Sequence, residues 1–308
     1  MEVLVTGGAG FIGSNLAQQL VDDGHRVRVL DDLSTGYAEN VPRGADLVQG
    51  DVADEAAVRP LMEGVDVVFH QAAARSVQLS VETPLAVDTA NVHGTLTLLV
   101  VARDAGVRRV VNASSSSIYG GAGERPSVET AIPRPRSPYA VSKLGAEHYC
   151  RVFSELHGLE TVSLRYFNVY GPRQRPDSAY AAVIPLFIAA LQNGGSPVVY
   201  GDGRQSRDFT FVDDVVRANL TAATTPADVC SGRVYNVAGG RPMTLLDLLD
   251  RLGEIVGVDP APDFLPERPG DVRHSEADAS AAARDLGWRA EISADDGLRR
   301  SVAWLASR

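Results

Sequence analysis

The run Thr6-Gly7-Gly8-Ala9-Gly10-Phe11-Ile12-Gly13 carries four glycines where a short apolar segment gives way to an amphipathic one. Glycine lets the backbone turn tightly and lets a pyrophosphate reach the amides at a helix start, where the helix dipole favours negative charge. Gly7, Gly10, Phe11, Ile12 and Gly13 are therefore candidate phosphate-binding positions. Asp31, followed by Asp32, ends the next apolar run at the spacing where a dinucleotide fold carries its ribose-binding acid. A carboxylate there accepts from both ribose hydroxyls and repels a 2′-phosphate, which favours NAD over NADP, although Arg43 could be recruited for the latter.

A second set could carry the reaction. In Tyr139-Ala140-Val141-Ser142-Lys143 the phenol and the ammonium stand four apart, on one helical face. An ammonium and an oxidised nicotinamide beside a phenol both favour its ionised form, which makes Tyr139 a general base at neutral pH. Upstream, Ser114-Ser115-Ser116-Ser117-Ile118-Tyr119-Gly120 offers hydroxyls, of which Ser115 could bond the same substrate oxygen and pass its proton.

These residues need a scaffold that brings them together. Val3–Val5, Arg26–Leu30, Asp46–Gln49, Asp66–Phe69, Arg108–Asn112 and Thr161–Tyr166 read as short strands. Helical periodicity covers Phe11–Val21, Pro84–Ala105 and Tyr139–Leu156. Strands alternating with helices predict a Rossmann-type, doubly wound parallel α/β sheet. After Asn168 proline and glycine become frequent, and 171–178, 193–204 and 257–273 read as loops. Asp208–Leu220 and Arg233–Val237 again look like sheet-associated pieces. The expected division is an NAD-binding domain over 1–167, with contributions from about 205–237. A smaller, interleaved substrate-binding region covers 168–308 and closes on a helix near Ile292–Leu305.

Composition narrows the function. The 308 residues carry 29 Lys plus Arg against 39 Asp plus Glu, a formal charge of -10, which argues against a nucleic-acid partner. Two cysteines, Cys150 and Cys230, form neither a disulfide framework nor a metal-type spacing, so no metal is expected and a cytoplasmic setting fits. No signal peptide or membrane-spanning run is expected.

The glycine cradle, Tyr139-x-x-x-Lys143 and the serine run together resemble an extended short-chain dehydrogenase/reductase, and within it the UDP-sugar 4-epimerase branch, over essentially the full length. That resemblance implies Ser115, Tyr139 and Lys143 as the catalytic set. Around NAD it implies Asp31, Asp32, Ser34, Thr35, Gly36, Asp51, Val52, Gln71, Ala72, Ala73, Ala74, Asn91 and Tyr166, with Tyr139 and Lys143 also touching the cofactor. For the substrate it implies Arg75, the serines 115–117, Tyr139, Asn168, Arg175 and Val183, with Arg207 and Arg268 as diphosphate clamps. It also implies a homodimer built on the long helices.

The family's dehydratases carry an Asp-Glu pair just after the catalytic hydroxyl and its decarboxylases a Glu two residues after it. Here those positions are Ser116 and Ser117, so epimerisation through a 4-keto sugar is favoured over either reaction. Pro172-Arg173-Gln174-Arg175-Pro176-Asp177 resembles UDP-glucuronate epimerases, while Ser178-Ala179-Tyr180-Ala181-Ala182-Val183 resembles enzymes for UDP-glucose or UDP-N-acetylglucosamine. The expectation leans to UDP-glucuronate, with the three serines and Arg75 or Arg175 holding the carboxylate. An NADH-releasing oxidoreductase and a non-catalytic NAD sensor are the competing classes.

Overall fold

A strand covered on both faces must be apolar throughout, and β1 (Glu2–Thr6) buries Val3, Leu4 and Val5 completely. It lies in the interior of a parallel sheet in the computed structural model, which describes residues 1–121, 125–177, 181–267 and 272–308. The other strands are β2 (Arg26–Asp31), β3 (Ala45–Gln49), β4 (Val67–His70), β5 (Arg109–Ser115), β6 (Glu160–Tyr166) and Arg233–Val237. Their spatial order is Arg233–Val237, β6, β5, β4, β1, β2, β3. The chain leaves β1 in one direction for β2 and β3, then crosses back to build β4 to β6 on the other side. Ligands of open α/β sheets bind at this reversal, outside the carboxyl ends of the strands. The parallel register lines those ends up: Thr6 pairs with Leu30 and His70, and Ser115 with Tyr166.

Helices Phe11–Asp22 and Val212–Thr224 cover one face, burying Leu16, Leu20, Val215 and Ala222. Gly94–Asp104 and Pro138–His157 cover the other with Leu98, Leu99, Val101 and Phe153. Each of these Leu, Val and Phe side chains contributes about 1.5–3 kcal/mol on burial. A third core, with Phe187, Ile188, Leu248, Leu252 and Leu298, joins helices Val183–Gln192, Leu245–Val256 and Ala294–Ala306 beside the carboxyl ends of the sheet.

Three expectations are corrected. β5 runs on to Ser115 instead of stopping at Asn112, which carries the serine run to the sheet's binding edge. The stretches expected to be loops contain Val198–Tyr200 and Asp263–Leu265, which pair in parallel; each is too short to show periodicity, and only the pairing makes them strands. The segment Pro84–Asp104 is long and apolar enough to cross a membrane by length and composition, contrary to expectation. Its apolar character has a different use: Val87, Leu98, Leu99, Val101 and Ala102 are buried within the fold.

Two buried groups make stability depend on pH in opposite senses. His70 bridges Thr6 Oγ1 (2.8 Å from Nδ1) and Thr95 Oγ1 (2.9 Å from Nε2). Thr95 donates its own proton to Asn91 O, so we assign the Nε2–H tautomer, accepting from Thr6. Burial, then the Lys143 charge, lower the imidazole to about 3. The folded pKa lies below the unfolded one, so this stability is present above about pH 6.5 and is lost as pH falls toward about 3. Asp208 is raised to about 6, chiefly by burial, against bonds from the backbone of Ala277, Gly240 and Arg241. Its contribution is present below about pH 3.8 and is lost as pH rises through about 6. Acidification from about pH 7.5 to 5 therefore costs stability through His70 and returns part of it through Asp208. Urea melts should therefore show His70→Gln losing less stability on acidification than the native protein; parallel pH dependences would refute the assignment.

Candidate active site

The glycine loop closes on itself. Gly7 N donates to Leu30 O (2.8 Å), Gly10 N to Gly7 O (3.1 Å) and Ser14 N to Gly10 O (3.0 Å). Gly7 has φ +68°, a left-handed turn that glycine makes without strain, and a side chain there would meet the backbone of Ala72 at 2.6 Å. No side chain caps the helix that begins at Phe11, so its first-turn amides are left for a ligand. Asp31 does more than the sequence implies. One carboxylate oxygen accepts from Ala9 N and the other from Leu33 N, both at 2.9 Å, so it braces the glycine loop while facing the ribose position. Burial raises its pKa, with these amides pulling the other way.

The remaining cofactor candidates surround this loop. Asp32 accepts from Ser34 N and Ser34 Oγ, and the Thr35–Gly36 turn is pressed against Asp31, where a Cβ on Gly36 would lie 2.9 Å from Asp31 Oδ1. Asp51 accepts from Ala53 N, and Val52 is buried beside it. Past β4, the Gln71–Ala74 turn is held at both ends. Ala72 N reaches Thr6 Oγ1 at 3.3 Å, and Asn91 exchanges bonds with Ala74 N and O while donating to Ser142 Oγ at 2.9 Å. Gln71 also donates to Tyr166 Oη at 3.1 Å, which Asn219 shares.

Helix Pro138–His157 positions the reacting groups. Ser137 Oγ accepts from Ala140 N, and Pro138 fits the first turn, so the helix begins one residue before Tyr139. Lys143 follows on the same face and donates Nζ to Ala113 O on β5 at 2.9 Å. Burial lowers this ammonium to about 8, with Cys150 and Glu147 opposing. Burial raises the Tyr139 phenol, against a hydrogen bond from Ser115 and the Arg75 charge. The expected lowering of the phenol by Lys143 is thus not what the protein's own groups produce. The phenol is desolvated, and the lysine spends its proton on the Ala113 carbonyl.

Tyr139, Ser115, Ser116, Ser117, Arg75, Tyr166 and Asn168 line one cavity of about 420 Å³, together with Phe11, Ile12 and Arg207. A second cavity, of about 280 Å³, meets it at Asn168, Val169, Gln174 and Arg207 and is lined by Val183, Tyr200 and Phe209. Val183 thus faces the second cavity, away from the reacting groups. Asn168 adopts φ +34°, which asparagine tolerates better than a β-branched residue, and donates to Asp208 O at 3.0 Å. Arg207 Nη1 donates to Ser206 O at 2.9 Å, which fixes its head between the cavities.

Arg175 is placed elsewhere. It pairs with Asp177 at 2.9 Å and Glu39 at 3.4 Å, stacks on the Tyr37 ring, and lines a surface hollow with Trp304 and Arg308. Arg268 and the Ser178–Tyr180 stretch lie outside the described residues. The sequence missed Ser127, Gln174, His274 and Ser275, all of which line the first cavity. Gln174 stood inside the quoted Pro172–Asp177 motif, and His274 and Ser275 lie just past Asp271. Only the fold brings Ser127 to the site.

The chain belongs to the NAD dependent epimerase/dehydratase family, whose profile matches residues 3–238. NAD is its cofactor, and the glycine cradle and Asp31 fit it. The UDP-glucose 4-epimerase of Mycolicibacterium smegmatis is 39% identical over 100% of this chain and 99% of its own. A Thermotoga maritima UDP-glucose 4-epimerase solved with UDP-glucose superposes with TM-score 0.96, 38% identical, covering 100% of this chain and 99% of that one. The Bacillus cereus UDP-glucuronic acid 4-epimerase, solved with UDP-glucuronic acid and NAD, gives 0.92 at 32% identity over 100% and 99%.

Proposed function

We propose that this protein interconverts the C4 epimers of a UDP-hexose with an uncharged C6, UDP-glucose and UDP-galactose. The observation that carries epimerisation is the lining of the reacting cavity, which contains no aspartate or glutamate among the described residues. Loss of a hydroxyl as water needs a positioned acid, and the cavity offers instead three phenols, serines, one histidine and two arginines. Bound NAD supplies the hydride acceptor and donor, and its positive ring offsets the burial of Tyr139. Tyr139 takes the proton from the C4 hydroxyl, with Ser115 bonded to the same oxygen. Arg75 favours the phenolate that accepts this proton, and the phenol returns it to the 4-keto oxygen once the sugar has presented its other face. Arg207, where the two cavities meet, suits bidentate contact with the diphosphate, so the ring can turn while the nucleotide stays held.

The uncharged C6 is supported by Arg175, whose ion pairs hold it outside the cavity. UDP-glucuronate is the second reading, favoured by Arg75 and the three serines at the sugar end. Proton NMR of the protein with each UDP-sugar tests both. UDP-galactose should be converted with a kcat/KM at least about tenfold above that for UDP-glucuronate, about 1.4 kcal/mol of discrimination. The reverse order would overturn the uncharged reading, and a 4-keto-6-deoxy product would overturn epimerisation itself.

A further inference from the structure

Beside the reacting groups lies a buried ionic layer, two of whose members, Ser114 and Tyr119, also line the first cavity. Glu147 and Arg165 form a two-pronged pair, Nε to Oε1 at 2.9 Å and Nη2 to Oε2 at 2.8 Å, with both side chains 4% exposed. Ser114 Oγ donates to Glu147 Oε1. Arg165 Nη1 donates to Tyr119 Oη at 2.8 Å, and Tyr119 passes its proton to Asn236 Oδ1 at 2.7 Å. Burial alone would lower the Arg165 pKa, but the Glu147 bonds and charge hold it above the ordinary value.

Stability does not explain such a pair. Removing two charges from water costs about as much as their attraction returns, and well-packed apolar residues of similar volume often serve as well. The location of its members points to another role. Ser114 precedes Ser115, Glu147 stands one helical turn beyond Lys143, and Arg165 precedes Tyr166. Glu147 therefore ties helix Pro138–His157, which carries Tyr139 and Lys143, to both β5 and β6.

We infer that Glu147 and Arg165, with Ser114, are positioning residues that fix the register of the Tyr139–Lys143 helix against the Ser115 strand. The inference rests on the proposed epimerase reaction. Its consequences divide between kcat and KM, because the pair touches neither the nucleotide nor the diphosphate. Glu147 also helps to keep Lys143 protonated, so its loss should lower the lysine pKa and move the alkaline limb of the kcat profile to lower pH.

Ser114→Ala and the double variant Glu147→Met/Arg165→Met test this with UDP-galactose, beside the native protein. Methionine at both positions fills the space without an unpaired charge. The expected result is a kcat at least about tenfold lower in the double variant, a smaller loss in Ser114→Ala, and KM within about twofold of native in both. NAD content should be unchanged, and the alkaline limb should move toward acid only in the double variant. Native kcat and native pH limb in a folded double variant would overturn the inference. Should the double variant not fold, native kcat in Ser114→Ala would overturn it alone. If the native protein itself turns over no UDP-sugar, the epimerase reading fails first, and the two failures are distinct.

Discussion

Tyr139→Phe is expected to keep NAD and to lose epimerisation by roughly 100- to 10,000-fold in kcat, the range of a positioned general base. Phenylalanine fills the same space, so the helix cap at Ser137 and the Lys143 bond to Ala113 O persist. What goes is the one group placed to move the C4 hydroxyl proton in a cavity without carboxylates among its described lining residues. His274, which lines the same cavity, is fixed through Nδ1 to Ser206 Oγ at 2.9 Å and does not stand in for the phenol on the reacting helix. The pH profile carries a second sign. Burial lowers the Lys143 ammonium to about 8, so native activity should fall as pH rises through that value and the reacting helix loses this charge. NAD content by absorbance, together with C4 epimer formation by NMR, decides the matter; epimerisation above about a tenth of native would remove Tyr139 from its role.

The cofactor half of this site was legible because its cause is local. The Gly7–Gly13 spacing, an apolar strand before it and Asp31 at the end of the next strand are all consequences of short chain segments. Lys143 and Tyr139 were legible for the same reason, being one turn apart on one helix. The direction of the phenol's pKa was not, because it is set by burial together with Ser115 on β5 and Arg75, neither of which is near Tyr139 in the chain. Arg175 was misplaced on similar grounds. Its motif suggested a sugar contact, yet its partner Glu39 lies 136 residues away and draws it to the surface. Glu147 did leave a signal. Lys143, Glu147 and Cys150 share the buried face of an amphipathic helix, and a carboxylate on such a face demands a partner. The identity of that partner, Arg165, depended on β6 lying beside β5. Val198–Tyr200 and Asp263–Leu265 had no such signal, since a three-residue strand shows no periodicity and exists here through its pairing alone.

Gly13→Ala is expected to weaken NAD binding at least about 100-fold. Its added methyl carbon would sit 2.1 Å from Gly7 O and 2.8 Å from Gly7 C, backbone atoms that cannot rotate away. Relief requires the loop to open, which displaces Gly7 and Gly10 from the bonds that shape the cradle and turns the first-turn amides away from a pyrophosphate. The cost falls on the cofactor more than on the fold, because the loop lies at the sheet's binding edge while Val3, Val5, Leu16 and Leu20 keep their packing. Two comparisons isolate the cause. Gly10→Ala brings a Cβ only to 3.2 Å from the same oxygen and should lose far less affinity. Gly24→Ala, at φ +78° with open space around it, carries backbone strain without touching the cradle and should lower stability while leaving NAD affinity intact. Fluorescence titration of each variant with NAD, alongside thermal melts, separates the two effects. Native affinity in Gly13→Ala would mean that the dinucleotide does not rest on this loop.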